Sequence, residues 1–259
     1  MFQTAVLASG SKGNCTLIRT ENTSILVDAG LSGKRIFNAM EQLHLHKEKV
    51  CGLIISHEHG DHIKGAGVVC RKLKIPLYIM RTTHLSMEDR LGKLPEGVVY
   101  YQSGKSFSIG DIDVDPFVAS HDVDCCNFTF QQQNSDKKLG LATDLGFSSR
   151  LMLQKMKGVN TLILESNHDE KLLLEGPYPW ELKQRVKSRH GHLSNNQAVE
   201  VVRKIIHDDL QTIILAHLSE INNVPELAHD TMKQYLQDAK HNCRIVISSQ
   251  DEPTRIIDI

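Results

Sequence analysis

No apolar run in this 259-residue sequence approaches the ~18 residues that cross a bilayer as a helix; Thr161–Leu164 and Thr212–Ala216 are typical of what it has. A helical membrane protein is therefore excluded, and no membrane partner is expected. Met1–Ala8 carries no basic segment and too short an apolar stretch for a secretory leader. Cysteine is sparse and scattered: Cys15, Cys51, Cys70, Cys125, Cys126 and Cys243 form no CxxC pair. That argues against a disulfide framework and a thiolate zinc site, and points to reduced thiols in a cytoplasmic protein. Net charge is nearly absent, with 30 Lys plus Arg against 31 Asp plus Glu, or −1. A strongly cationic nucleic-acid binder is ruled out, whereas a local basic patch is not. With no low-complexity tract, charge block or linker, residues 1–259 are expected to form one domain.

What is present is an apolar fraction of 40%, enough for a core, and 14 histidines. Histidine is the commonest metal ligand and the usual proton carrier near neutral pH. β-like runs at Phe2–Ala8, Cys15–Thr20 and Ser24–Asp28 open the chain. Apolar spacing predicts helices over Gly33–Leu45, Ile63–Leu73 and Thr82–Leu91, alternating with strands Val50–Ile55 and Pro76–Met80. The middle is β-rich, at Val98–Tyr101, Ile112–Ala119, Cys126–Gln131 and Leu139–Thr143. Strands Thr161–Glu165, Thr212–Ala216 and Arg244–Ser248 then alternate with helices Trp180–Ser188, Asn195–His207 and Pro225–Ala239. This pattern predicts mixed layers of the α/β (α+β) class. The strands end alike, running into Asp28, His57, His121, Asp144, His168 and His217. Polar, ligand-type residues thus gather where strands stop, where loops on a rigid scaffold hold sites.

His57-Glu58-His59-Gly60-Asp61-His62 packs three histidines and an aspartate into six residues. That composition suits neither an apolar core nor an ordinary solvated loop. A tight turn aims alternate side chains at a common point, so His57 and His59 can share one metal while Asp61 and His62 face a second. An HxHxDH motif after an apolar strand resembles the metallo-β-lactamase superfamily. The family's other elements stand in order: Asp28 in Val27-Asp28-Ala29-Gly30, His121 in Ser120-His121-Asp122, Asp144 in Thr143-Asp144-Leu145, and His217 in Ala216-His217-Leu218. The resemblance covers nearly the whole chain and implies a four-layer αββα sandwich with a binuclear site at one edge of its sheets. It implies that His57, His59 and His121 bind one divalent ion and Asp61, His62 and His217 a second. Asp144 would bridge them, with Asp28 orienting the turn from behind. His and Asp ligands suit zinc, manganese or iron without choosing among them.

Ser9–Asn14, Glu165–Asp169 and Gly191–Asn195, together with Gly176-Pro177-Tyr178-Pro179, resemble the WalJ (YycJ) group of that superfamily. This implies a metal-dependent phosphodiesterase acting as an exonuclease on duplex DNA. Gly191-His192-Leu193-Ser194 is also similar to ribonuclease Z, where the equivalent histidine sits beside the scissile phosphate. Asp61 and His192 are therefore the expected catalytic residues, His192 as general acid. In ribonuclease Z that histidine pairs with a glutamate three residues before the bridging aspartate. Here the position is Leu141, which leaves Glu165 or His168 as partner. Ser194 or Asn195 is expected to cap the helix that follows.

The strongest basic run is Lys183, Arg185 and Lys187, with Arg189 and His190 beside them. It is either a solvated helix face or a patch that positions phosphates. Ser9, Ser11 and Asn14 are further candidate phosphate contacts on a glycine-containing loop, which lacks the GK[ST] ending of a Walker loop. Two other readings stay open: a small-molecule (cyclic) phosphodiesterase, and a metal-binding regulator that keeps the fold. The unbroken ligand set argues against the second.

Overall fold

The computed structural model describes residues 1–45 and 49–259. Its first sheet takes β1 (Phe2–Ala8), β2 (Cys15–Thr20), β3 (Ser24–Val27), β4 (Val50–Ile54), β5 (Leu77–Ile79) and β6 (Val98–Tyr100) in chain order, with β14 (Ile257–Asp258) added beside β1. The second takes β7 (Phe107–Ile109), β8 (Ile112–Val118), β9 (Cys126–Gln132), β10 (Lys138–Ala142), β11 (Thr161–Glu165), β12 (Thr212–Ala216) and β13 (Arg244–Ile247), again in chain order. Each sheet starts antiparallel and turns parallel, between β3 and β4 in one and between β10 and β11 in the other. Antiparallel neighbours need only short turns, whereas parallel ones need crossovers. The helices fall mainly in those crossovers: α1 (Gly33–Gln42), α2 (Gly60–Ile63), α3 (Ala66–Leu73), α4 (Arg81–Leu91), α5 (Arg150–Met156), α6 (Glu170–Glu175), α7 (Trp180–Lys187), α8 (Asn195–Ile205) and α9 (Pro225–Asp238).

Period-2 alternation divides the apolar residues among three buried layers. Ile163 and Ile214 face inward, where they join Val6, Ile18, Ile25 and Ile54 of the first sheet and Phe128, Phe130 and Leu141 of their own. Their neighbours Leu162, Leu164, Ile213 and Leu215 face the other way, against Met152 and Met156 of α5, Val202 of α8 and Met232 of α9. Leu7, Leu17, Leu26 and Leu53 pack against Ile36 and Met40 of α1 and Val69 of α3. Three apolar layers between four layers of elements make the expected αββα sandwich. The parallel strands are covered on both faces, and for that reason read as unbroken apolar runs.

The expected helix Ile63–Leu73 is two helices, α2 and α3, broken at Gly65. A Cβ at Gly65 would sit 2.2 Å from the Leu31 carbonyl oxygen, so the chain passes too close for any side chain. The helix expected to reach Leu45 ends at Gln42. Four short elements, β7, β14, α5 and α6, were not expected; each is too short for periodicity to register. Among the described residues, no helix is long and apolar enough to cross a membrane.

The strand directions place the site. β10, β11 and β12 run parallel, and β8 runs the same way because β9 lies antiparallel between it and β10. His121, Asp144, Glu165 and His217 therefore leave or end their strands at one edge. Ligands bind to open sheets outside the carboxyl ends of their parallel strands.

Candidate metal centre

Asp28 and His217 follow their strands directly and Asp144 stands one residue further on. Asp28, Asp144 and His217 hold left-handed φ values of 61°, 55° and 55°. Asp and His tolerate this conformation better than most residues, and such outliers cluster at functional sites. Asp28 ties the ends of two strands together. Its Oδ1 accepts from the Ser56 backbone N–H at 2.8 Å, and its Oδ2 accepts from His62 Nδ1 at 2.8 Å. That bond directs His62 Nε2 toward Asp144 Oδ2 at 3.3 Å and Asp61 Oδ2 at 3.5 Å. His217 Nε2 lies 3.6 Å from both Asp61 Oδ2 and Asp144 Oδ1.

On the other side, His121 Nε2 stands 3.3 Å from His59 Nδ1, and the His57 ring centroid is 4.7 Å from that of His59. Ligand atoms of His57, His59 and His121 come within 4.8 Å of one another, as do those of Asp61, His62 and His217, and those of His57, His62 and Asp144. Of the sequence-predicted residues, then, all seven candidate ligands meet in one place, and Asp144 stands in reach of both groups.

Whether these groups fit metal is decided by the atoms left over. His57 Nε2, His121 Nδ1, His217 Nε2 and Asp144 Oδ2 are buried without hydrogen-bond partners. Orphaned buried polar atoms are costly, and this many in one cluster calls for a ligand. The electrostatics point the same way. Burial disfavours the charged form of His62 and His217, yet the carboxylates of Asp144 and Asp28 raise the pKa of His62 and those of Asp144, Asp61 and Glu165 raise that of His217. Without an ion the buried carboxylates draw positive charge onto these imidazoles, charge that a metal ion would supply in its place. Asp144 stays ionised despite complete burial because His217 and His62 face it. Burial and His62 together keep His57 neutral, the form that ligates. The clusters are suited to binding metal ions.

Glu165 organises the flank. Fully buried, its Oε1 accepts from His192 Nδ1 at 2.8 Å and from His217 Nδ1 at 2.9 Å. The backbone N–H groups of Asp144, Leu145 and Leu193 also donate to its carboxylate, at 3.3, 3.2 and 2.9 Å. Burial would push the Glu165 carboxyl up, but the two imidazoles bring it down to about 2. Of the two partners the sequence left open for His192, the hydrogen bond is with Glu165. His168 is buried with its Nδ1 unpaired, and burial lowers its pKa to about 4.

Residues 8–125 match the sequence model of the metallo-β-lactamase superfamily. The exodeoxyribonuclease YycJ of Bacillus anthracis is 40% identical over 235 residues, spanning 90% of this chain and 89% of that protein. The chain belongs to the metallo-β-lactamase superfamily. The exodeoxyribonuclease WalJ of Streptococcus pneumoniae serotype 2 (strain D39) is 39% identical over 241 residues, 92% of this chain and 89% of that one. Human tRNase Z, short form, shares the superfamily fold, with a TM-score of 0.68 at 16% identity over 99% of each chain.

The expected phosphate contacts fare less evenly than the ligands of this superfamily member. Lys183 is a correction: it is only 9% exposed, and its Nζ donates to the Leu174 carbonyl at 2.7 Å, because the lysine stem packs inward beside Val186 of α7. Lys187 is exposed at the end of α7, while Arg185 lines a small cleft with His192 and donates to Asp122 Oδ2 at 2.7 Å. Ser9 and Asn14 are also inward-facing. Ser9 Oγ accepts from the His217 backbone N–H at 2.8 Å, and Asn14 Nδ2 sits 3.1 Å from His62 Nε2 and 3.4 Å from Asp61 Oδ2. Both are buried props of the candidate ligand cluster; only Ser11 of that loop faces the cleft. Ser194 caps α8 with a full capping box.

Two residues escaped sequence reasoning. Asp122 Oδ1 lies 3.4 Å from His59 Nε2 and 3.3 Å from His121 Nε2, linking this cluster to Arg185. Cys125 Sγ lies 3.6 Å from His57 Nδ1. Adjacency to His121 was the only sequence signal for Asp122, and Cys125 had none.

Proposed function

We propose that this chain is a DNA phosphodiesterase, an exodeoxyribonuclease that works with two divalent ions on duplex DNA. His57, His59 and His121 would hold one ion, Asp61, His62 and His217 the other, and Asp144 both. Zinc, manganese and iron all suit this donor set. The observation that carries the reading is the set of unpaired buried atoms on His57, His217 and Asp144, beside a His192–Glu165 pair that opens on a cleft. The names of the relatives supply the substrate. The working unit would be the whole chain as one domain, in the cytoplasm, where its six free cysteines stay reduced.

Ions held by these residues would supply Lewis-acid stabilisation of charge on the phosphoryl group and a nucleophile available near neutral pH. The chain's own residues do the rest. Asp28 and Glu165 fix the tautomers of His62 and His217 by accepting from their Nδ1 atoms, so both present Nε2 to the site. Glu165 also accepts from His192 Nδ1. In its imidazolium form, held by that bond, His192 would give its Nε2 proton to the departing alkoxide and be left as the neutral Nδ1–H tautomer. A DNA alkoxide is a poor leaving group, and general-acid help of this kind is worth ~10²–10⁴-fold.

The test compares two substrates. Nitrophenolate leaves without a proton. His192→Ala should therefore lower cleavage of duplex DNA by ~10²–10⁴-fold, lower cleavage of bis-nitrophenyl phosphate far less, and retain metal by elemental analysis. Equal losses on both substrates would make His192 a phosphoryl-binding group. Wild-type protein that cleaves the chromogenic diester or a cyclic phosphate but no DNA would overturn the nuclease reading.

A further inference from the structure

Two hollows meet at the metal cluster, and they are unequal. One, of about 150 Å³, is lined by Tyr178, Arg185, His190 and His192 on the His121 side. The other, of about 450 Å³, lies across the cluster against Asp61 and is lined by Lys12, Lys64 and Arg90. Ser11 lines both, so they adjoin there, one reaching His121 and the other Asp61. The three cations come from three places in the chain: the β1–β2 turn, the break between α2 and α3, and the last turn of α4. All three are exposed. The Arg90 guanidinium is held over the HxHxDH turn by donating to the Glu58 carbonyl at 3.0 Å. Lys64 has no side-chain partner among the described residues. Lys12 pairs with Glu220 at 2.6 Å, but both side chains are solvated, a pairing that a phosphate can replace.

We propose that the Lys12–Lys64–Arg90 groove carries the sugar-phosphate backbone of the DNA body, leaving the smaller hollow beside Tyr178 and Arg185 for the strand end. This rests on the nuclease reading above and gives it a direction. A long polyanion needs an open, cationic track, which the larger hollow supplies. A strand end needs room for little more than one residue, and the smaller hollow supplies no more. In a chain of net charge −1, three cations converging beside the metal cluster concentrate the phosphate attraction where the scissile bond must lie. None of this is local in sequence.

The experiment uses the full, metal-loaded chain with Lys12→Gln, Lys64→Gln and Arg90→Gln combined, and Lys64→Gln alone. Binding and cleavage are followed against salt on a long duplex and on a dinucleotide. Bis-nitrophenyl phosphate cleavage by the same preparations reports the state of the reacting centre. Each lost phosphate contact lowers the slope of log K against log salt by ~0.9, so the triple variant should lose ~2.7 and the single one ~0.9. KM should rise on the long duplex more than kcat falls, with a smaller rise on the dinucleotide. A variant of equal charge loss on the α8–α9 face, Lys204→Gln, Lys233→Gln and Lys240→Gln, should leave the slope as in wild type. Unchanged slope in the groove variant, equal losses on both substrate lengths, or an equal slope change in the α8–α9 variant would overturn the groove. Absence of DNA cleavage by wild type, with diester cleavage intact, would instead overturn the nuclease reading beneath it.

Discussion

Glu165→Gln is nearly isosteric, yet it should be among the most damaging single changes in this protein. The carboxylate takes five hydrogen bonds while fully buried: two from imidazoles on Oε1, one from the Asp144 N–H, and two from the Leu145 and Leu193 N–H groups on Oε2. A glutamine has one oxygen and one amide nitrogen. If the nitrogen faces Leu145 and Leu193, two backbone donors lose their acceptor; if it faces the imidazoles, three donors do. Each stranded buried donor costs ~1–3 kcal/mol, so the minimum is about 2–6 kcal/mol. Against a typical total stability of ~5–15 kcal/mol, denaturant unfolding will register it. With the nitrogen toward the imidazoles, His217 would lose the partner that orients it, a change worth ~10–100-fold in metal affinity, and His192 would lose its anchor. With the oxygen toward them, both keep only a neutral acceptor in place of a carboxylate, so in either orientation the ratio of DNA to chromogenic-diester cleavage should fall. An acid-limb measurement separates charge from shape. A carboxyl held at about 2 rather than ~4.3 stabilises the fold fully above pH ~4, and that stability is lost as pH falls toward 2. The glutamine variant should lack this limb. A variant within ~0.5 kcal/mol of wild type, with the cleavage ratio and acid limb unchanged, would refute the account of Glu165 as the organiser of this flank.

Asp144→Ala removes the carboxylate that stands between the two ligand groups, and should leave fewer than two metal ions per chain by elemental analysis, with both DNA and diester cleavage lost. Gly30→Ala would place a methyl group 1.6 Å from the Asp61 carbonyl oxygen, so it should displace the HxHxDH turn, weaken metal binding and lower the unfolding midpoint. In metal-free protein, burial opposes the imidazolium forms of His62 and His217, but their carboxylate neighbours prevail. A raised pKa contributes stability that is complete below pH ~6.5 and lost as pH rises through the folded value. Unfolding free energy of the metal-free chain should therefore decline on the alkaline side, whereas metal binding, which needs neutral imidazoles, should strengthen there. Denaturant titrations at several pH values, with and without metal, check both signs.

The sequence by itself determined the strands other than β7 and β14, most of the longer helices and the seven candidate ligands that meet in one cluster. The reason is physical: a strand buried on both faces must be a continuous apolar run, so a sudden Asp or His at its end stands out, and HxHxDH keeps its chemistry within six consecutive residues. Local signals also located the Ser194 cap and the turn around Gly10–Asn14. The tertiary structure decided what depends on which strands lie side by side. Only the β10–β11–β12 order brings Glu165 under both His192 and His217, in place of the glutamate missing at Leu141. Charge could not be read locally either. Lys183, in the densest basic run, turns its ammonium inward to a carbonyl, whereas Lys12, Lys64 and Arg90, far apart along the chain, line one groove. Whether a lysine meets solvent, a backbone oxygen or a ligand is set by packing between elements, and that information is carried by contacts between distant residues.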